Sequence, residues 1–278
     1  MAVVALDREA ARAAVRTAAG RFTALLRGTD DIERPAAGTD WTVAETAAHL
    51  SYMFTAFSAA LAGEPSTLTP GQYLEADPHT RLAASNAATI AMVEHTDAGR
   101  LAELITAGAH RFLELVAQAD PAAECETPAY GTGVTRTPDC LTALALAELT
   151  VHGHDIATGT GRPWPISADH ARIILGTVFP EMIPLLVRPG AGRAGAVTYE
   201  IRVRGGGPRF VVRVADGAAE VRAAGEPVDC VISAAPAAFL LVGYGRLPIG
   251  RALLRGGVLA WGRRPWLGLR FNDHLFIP

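Results

Sequence analysis

The chain has 278 residues, of which 50% are hydrophobic and 19% charged, a composition typical of a soluble globular protein with one large or two ordinary domains. Its formal net charge of −3 argues against binding to nucleic acid, which requires clustered positive charge. We expect a cytoplasmic protein without membrane contact, since the sequence shows no signal peptide, no apolar run of membrane-spanning length and only three widely spaced cysteines.

The first part of the chain has the pattern of α-helices. Apolar residues recur at helical spacing over residues 7–27 and predict the first helix. The run Thr42–Glu45 has the pattern of a capping box and predicts a second helix that ends at about Ala62. After a proline-containing loop, helical spacing extends from about Thr80 to Ala119, as one straight helix or one bent near Asp97–Gly99.

Two more helices are predicted before the sequence becomes rich in proline and glycine. Thr137 and Pro138 form a favourable helix start, a capping hydroxyl followed by a proline at the first helical position, and this helix runs to about Thr158. A further apolar helix is predicted over roughly Ser167 to Val187. The Pro/Gly-rich run Arg188–Gly192 then indicates a linker.

Beyond the linker, strand patterns dominate. The β-branched runs Val197–Val203 and Arg209–Val214 flank a Gly/Pro turn and predict a hairpin. Further predictions are strands at Val228–Ile232 and Val258–Trp261, and a short helix at Pro236–Val242. The fold class is therefore α plus α+β, with a helical bundle over residues 1–190 and a small α+β domain over residues 191–278.

The helix that begins at Pro138 carries an unusual set of polar residues on its apolar face. Glu148, His152 and Asp155 lie three or four residues apart and share one face with Leu141 and Leu144. An isolated buried charge is costly, so an inward-facing glutamate and histidine need a partner. A divalent metal ion is a partner that both side chains accept, and the spacing of four residues lets them converge on it.

A third ligand has to come from another helix. His49 is the best candidate, because it lies in an otherwise apolar stretch of the helix that follows the capping box. Ligands from facing helices form metal sites in many bundles, and three protein ligands leave one position open, as in catalytic zinc sites.

The spacing alone leaves alternatives open. A glutamate and a histidine four residues apart are also common as surface pairs, and His154 offers a different choice of ligand. We expect His154 at the rim of the site, since residues two apart do not share a helix face. Asp155 fits two kinds of role equally well. It either supports a ligand or contacts a cofactor, or it caps the helix end or pairs with an arginine.

Residues 40–50 (DWTVAETAAHL) and 147–157 (AELTVHGHDIA) resemble two segments of the mycothiol-dependent maleylpyruvate isomerase family. The resemblance implies an N-terminal DinB-like four-helix bundle that holds a metal ion, zinc by default, through the residues matching His49, Glu148 and His152. His154 departs from the tryptophan that is usual in the second segment, so the wall of the pocket differs there.

The resemblance continues in the C-terminal part. Residues from about 195 onward resemble the family's sterol-carrier-like α+β domain, and residues 239–246 (FLLVGYGR) resemble, more loosely, a family segment that ends in arginine. This implies that Arg246 holds a substrate carboxylate, for which a guanidinium group has matching geometry.

The family resemblance implies an enzyme with two cofactors, Zn²⁺ or another divalent metal, and mycothiol. Zinc would lower the pKa of the thiol, and the thiolate would add to the cis double bond of maleylpyruvate, so that rotation and elimination give fumarylpyruvate. The partners are then a small-molecule thiol and a small electrophilic substrate, and the protein is a monomer or a homodimer. One alternative is a mycothiol S-transferase for detoxification or natural-product tailoring. A second is a non-catalytic, metal-stabilised protein that binds a small molecule.

Overall fold

A computed structural model describes residues 6–65, 77–93 and 97–277. This part of the chain divides into two compact units, the helical unit Asp7–Ile166 and a sheet unit that begins at Ser167. The predicted fold class, a helical bundle followed by a small α+β region, is confirmed. No helix within the described ranges is long and apolar enough to cross a membrane.

In the helical unit, four long helices pack side by side as a bundle, and a short hairpin precedes the last of them. Burial of each large apolar side chain between them contributes about 1.5–3 kcal/mol to stability. The elements of this unit are α1 (Arg8–Arg27), α2 (Val43–Ala62), α3 (Pro78–Ala91), α4 (Ala98–Gln118), β1 (Cys125–Glu126), β2 (Thr135–Arg136) and α5 (Pro138–Gly159), with α3 outside the bundle of α1, α2, α4 and α5.

Capping side chains determine where the helices of the bundle begin. The Thr42 hydroxyl accepts a hydrogen bond from the Glu45 N–H at 3.1 Å, and the Glu45 carboxylate accepts one from the Thr42 N–H at 2.8 Å. This is the predicted capping box. At the start of α5, the Thr137 hydroxyl accepts from the Cys140 N–H at 3.2 Å. These caps set the phase of α2 and α5, the two helices that carry the predicted metal ligands.

The stretch predicted from Thr80 to Ala119 forms two helices. Helix α3 ends at Ala91, and α4 begins directly after Asp97, whose carboxylate accepts a hydrogen bond from the Arg100 N–H at 2.8 Å. An aspartate in this position is a helix N-cap, so the residues predicted as a bend mark a new start. Most of the loop predicted between Gly63 and Pro78 lies outside the described residues.

The sheet unit contains a mixed sheet with the strand order β5-β4-β3-β6-β7. Strand β3 pairs in parallel with β6, with Ile201 opposite Ile232, and the other neighbours are antiparallel. The elements of this unit are α6 (Ala168–Met182), β3 (Val197–Val203), β4 (Arg209–Ala215), β5 (Ala218–Ala223), β6 (Cys230–Ala234), α7 (Pro236–Gly243), α8 (Ile249–Leu254), β7 (Val258–Trp261) and a 3-10 helix (Pro265–His274).

Several details of the sheet unit were not predicted. Strand β5, helix α8 and the 3-10 helix over 265–274 carry no strong periodic signal, and α6 ends at Met182 rather than Val187, close after Pro180. Helix α6 belongs to the compact unit that begins at Ser167, whereas the predicted domain boundary lies at 190/191. That boundary stays a prediction.

Candidate metal centre

Helix α5 is buried on almost every side, so its polar residues have no access to bulk water unless they line a site. Glu148 and His152 lie one helical turn apart on it. The Nε2 atom of His152 lies 3.1 Å from Oε2 of Glu148, and the side chains are 10% and 20% exposed. The glutamate is therefore the more accessible of the two.

Helix α2 brings His49 to the same point. Its Nε2 atom also lies 3.1 Å from Oε2 of Glu148, and its imidazole meets that of His152 edge to face at a centroid distance of 5.3 Å. The two histidines approach one carboxylate oxygen from different helices. The structure thus brings together the three residues proposed as ligands, although His49 and Glu148 are 99 residues apart in sequence.

The geometry of these three side chains fits a divalent metal ion. Their ligand atoms all lie within 4.8 Å of one another. Zinc binds nitrogen and oxygen at about 2.0–2.2 Å, which in a tetrahedral site places ligand atoms about 3.3 Å apart. Two imidazole nitrogens and one carboxylate are also a donor set that catalytic zinc sites use.

Glu148 and His152 strongly shift the pKa of each other. Burial favours the neutral acid of Glu148, but hydrogen bonds from His152 and His49 outweigh burial and hold the pKa of Glu148 far below its usual range. Burial also disfavours the imidazolium of His152, yet Asp155 and Glu148 raise the pKa of His152 to about 9. In the metal-free protein, the raised pKa of His152 favours its imidazolium form beside Glu148 and Asp155 at neutral pH.

Asp155 lies directly behind His152. It is 1% exposed, and its Oδ2 atom is 3.1 Å from Nδ1 of His152, on the side of the ring that faces away from Glu148. A carboxylate in this position accepts the Nδ1–H and leaves Nε2 free to bind a metal. Of the two roles considered for Asp155, this contact favours support of a ligand.

Trp41 forms one wall of the site. Its ring centroid lies 5.1 Å from that of His49 and 5.7 Å from that of His152. Nothing in the spacing of the helices indicated this contact, because Trp41 lies in the loop before α2. The signal that was available was its position next to the capping box that leads to His49.

His154 lies outside the cluster. Its Nδ1 atom is 3.0 Å from the Thr158 hydroxyl oxygen, one turn further along α5. The neighbouring Gly153 is the place where Trp164 packs, since an added Cβ would lie 2.1 Å from the indole ring. The helix therefore needs glycine beside His152 to accommodate the tryptophan.

Arg246 lies in the sheet unit, in the turn after α7, and its Nη1 atom donates a hydrogen bond to the Tyr244 carbonyl at 2.7 Å. Its predicted role toward a substrate carboxylate stays a prediction. Cys125, Cys140 and Cys230 are all buried, which agrees with a structural rather than a nucleophilic role for them.

The chain matches one protein family by sequence and resembles two crystal structures. The sequence profile of the family described as mycothiol maleylpyruvate isomerase N-terminal domain matches residues 6–157. Two crystal structures of the mycothiol-dependent maleylpyruvate isomerase, one of them of a mutant, resemble this chain with a TM-score of 0.57 each. Their sequences are 18% and 17% identical to it, and each likeness covers 92% of this chain and 93% of that one. At such identity, the structural likeness shows a shared fold. A comparison with curated proteins found no match.

Proposed function

We propose, from the premise that this chain belongs to the mycothiol maleylpyruvate isomerase N-terminal domain family, that it is a zinc-dependent enzyme that uses mycothiol to act on a small unsaturated acid. The observation that carries the proposal is the convergence of His49, Glu148 and His152, whose ligand atoms all lie within 4.8 Å of one another. The profile match over residues 6–157 includes all three residues, which supports a site in the helical unit.

The metal would be held by the two Nε2 atoms and the Glu148 carboxylate. A divalent cation there would lower the pKa of a thiol that binds it and so supply a thiolate at neutral pH. Such a thiolate can add to a cis double bond, permit rotation about the resulting single bond and leave again. The family name supports this isomerisation as the reaction of first choice.

The residues of the chain have distinct tasks in this proposal. Asp155 fixes the tautomer and the ring plane of His152 through its contact with Nδ1. Trp41 covers the two imidazoles and keeps water from that side of the site. Arg246 is proposed to pair with a carboxylate of the substrate, since its guanidinium group suits a two-point contact.

The proposal is tested first by metal analysis. The wild-type protein is expected to retain about one zinc ion per chain, and His152→Ala is expected to lose most of it, because a nitrogen ligand is removed. The matched control is His110→Ala, which removes an imidazole that is 75% exposed on α4. If His152→Ala keeps as much metal as His110→Ala, the ligand assignment is wrong.

A second experiment separates the isomerase from an S-transferase. The zinc-loaded protein is incubated with mycothiol and either maleylpyruvate or a halogenated aromatic electrophile. Formation of fumarylpyruvate with unchanged mycothiol supports the isomerase. Consumption of mycothiol with the aromatic compound alone supports the transferase. Failure to react in either assay, with metal bound, favours a non-catalytic binding protein.

A further inference from the structure

The sheet unit exposes a concentration of large apolar side chains. Single exposed apolar residues are normal on a protein surface, but a contiguous group of them marks a surface that another molecule covers. Among the described residues, six large apolar side chains are strongly exposed, and all of them except Met92 of the helical unit lie within residues 254–269. These are Leu254, Leu259, Trp261, Trp266 and Leu269.

The exposed side chains surround one edge of the sheet, strand β7. Leu259 and Trp261 are two residues apart on this strand and therefore point to the same side of the sheet. The 3-10 helix packs on the other side, since a Cβ added to Gly268 would lie 2.5 Å from the Cβ of Ala260. Because β7 is the last strand in the sheet order, both sides can be reached from one edge.

The remaining three side chains flank the same strand. Trp266 and Leu269 are three residues apart on the 3-10 helix, and residues at this spacing lie on one face of such a helix. Leu254 is the last residue of α8, a helix that contacts β7, and it is 91% exposed. We call these five apolar residues the β7 edge patch.

The charged residues around the β7 edge patch are almost all positive. Residues 230–272 include six arginines and no acidic residue. Two of the arginines, Arg263 and Arg264, form ion pairs with the buried Asp229. Three others are exposed and form no ion pair with any residue in the described ranges, namely Arg251, Arg255 and Arg270. The exposed Asp273, which follows this stretch, offsets only one of these charges, so the edge carries a net positive charge.

The combination of apolar and positive side chains indicates the chemistry of the partner. A second copy of the chain would bring arginines against arginines, and like charges disfavour such an interface. A nucleic acid would bind the arginines through its phosphates but would leave the exposed leucines without an apolar partner. The surface of an anionic bilayer offers phosphates for the arginines and the boundary of the acyl chains for leucine and tryptophan.

We propose that the β7 edge patch binds the surface of an anionic lipid bilayer. The apolar side chains of the patch lie at the level of the headgroups, and Arg251, Arg255 and Arg270 contact the lipid phosphates. This contact departs from the expectation of a protein without membrane contact, which was based on the absence of a spanning segment. It does not depend on the metal centre, because every residue concerned lies in the sheet unit.

The test is co-sedimentation of the purified protein with lipid vesicles. One set contains phosphatidylglycerol mixed with phosphatidylcholine, and the other contains phosphatidylcholine alone. We expect binding to the anionic vesicles that weakens as the salt concentration rises, because salt screens the attraction between arginine and phosphate. Binding to the neutral vesicles should be at least tenfold weaker.

A charge variant tests the role of the three arginines. The triple variant Arg251→Gln, Arg255→Gln and Arg270→Gln should bind the anionic vesicles about 100-fold more weakly, because each arginine near such a surface contributes about fivefold. The matched control changes the net charge by the same amount on α1 of the helical unit and should bind as the wild type does. It consists of Arg12→Gln, Arg16→Gln and Arg27→Gln.

An apolar variant tests the role of the exposed side chains. The double variant Leu254→Gln and Trp266→Gln should weaken binding about tenfold, because two side chains no longer leave water for the bilayer. Both residues are exposed, so the fold is expected to be unaffected. The matched control is Met92→Gln, which removes the exposed apolar side chain of the helical unit and should leave binding unchanged.

The other outcomes would overturn the proposal. Equal binding to both kinds of vesicle, or to neither, contradicts it, as does a charge variant that binds like its control. If the protein binds polyglutamate or an oligonucleotide but no vesicle, the partner is an acidic macromolecule and the proposal is wrong. If the protein binds no vesicle and forms a dimer that the apolar variant dissociates, the β7 edge patch is an interface between two copies. The metal analysis of the proposed function is unaffected by any of these results.

Discussion

The two units of the molecule stabilise buried carboxylates in different ways. In the sheet unit, Glu200 is 4% exposed and accepts hydrogen bonds from the guanidinium groups of Arg202, at 2.7 Å, and Arg209. Burial opposes ionisation there, but the two arginines outweigh it and hold the pKa of Glu200 below its usual range. In the helical unit, Glu148 is met by the imidazoles of His49 and His152.

The difference separates a structural ion pair from a binding site. Arginine keeps its proton at every physiological pH, so a carboxylate paired with it is permanently neutralised. Histidine, unlike arginine, can release its proton to an incoming cation, and its nitrogen then becomes a metal ligand. In the sheet unit, the charge of Glu200 is therefore neutralised permanently by arginine. In the helical unit, a metal ion can replace the protons on the imidazoles that face Glu148.

The largest effect is expected from removing the charge of each acid in turn. Glu148→Gln should weaken zinc binding about 100-fold or more, because it removes the only anionic ligand of the cluster. Glu200→Gln should leave zinc binding unchanged and lower the free energy of unfolding by about 1–3 kcal/mol, since two guanidinium groups lose their acceptor. Zinc titration and urea unfolding of both variants measure these effects. Loss of zinc binding in Glu200→Gln would contradict the comparison.

A second prediction concerns the stability of the metal-free protein as a function of pH. His152 has an ordinary pKa of 6.5, and its surroundings raise the pKa to about 9 in the folded state. A raised pKa stabilises the fold below about pH 6.5, and this contribution is lost as the pH rises through 9. The expected loss is about 3 kcal/mol, from the 1.36 kcal/mol that each pKa unit represents.

Urea unfolding of the chelator-treated protein between pH 6 and 9.5 measures this loss. The control is His152→Gln, in which the fall over this interval should be largely absent. A free energy of unfolding that is as flat with pH in the wild type as in the variant would show that His152 is not held as an imidazolium. Glu148 would then lack a cationic partner in the metal-free protein.

The smallest effect is expected for the residue behind the ligand. Asp155→Asn should weaken zinc binding about 10- to 100-fold, because the amide no longer fixes the His152 tautomer as a carboxylate does. It should also lower the pKa of His152 in the metal-free protein, and so move the pH-dependent loss of stability to lower pH. The control on the same helix is Asp139→Asn, whose carboxylate pairs with Arg8 at the surface. Equal zinc affinity in the two variants would remove Asp155 from the site.

The cluster of His49, Glu148 and His152 could be predicted from the sequence because of the geometry of the helix. Helical geometry fixes the relation of Glu148 to His152, and an apolar surrounding marks a polar side chain as one that needs a partner. That reasoning also indicated His49, because its helix begins at a recognisable capping box. The site residues that could be identified from the sequence were therefore those whose positions follow from the helical repeat.

The wall of the site could not be predicted from helical spacing. Trp41 lies on a loop, and its position depends on the packing of the whole unit rather than on a local period. In the sheet unit, β5 was missed because Ala218–Ala223 is an exposed edge strand with few β-branched residues, so its pattern is weak. The start of α4 was missed as a separate helix because the capping role of Asp97 was overlooked within a long periodic stretch.

The most direct test of the central claim is X-ray absorption spectroscopy at the zinc edge of the purified protein, before and after addition of mycothiol. We expect one zinc ion per chain with two imidazoles and otherwise oxygen ligands, and one sulfur ligand that appears only with the thiol. A spectrum with fewer than two imidazoles, or with sulfur already bound before the thiol is added, would contradict it.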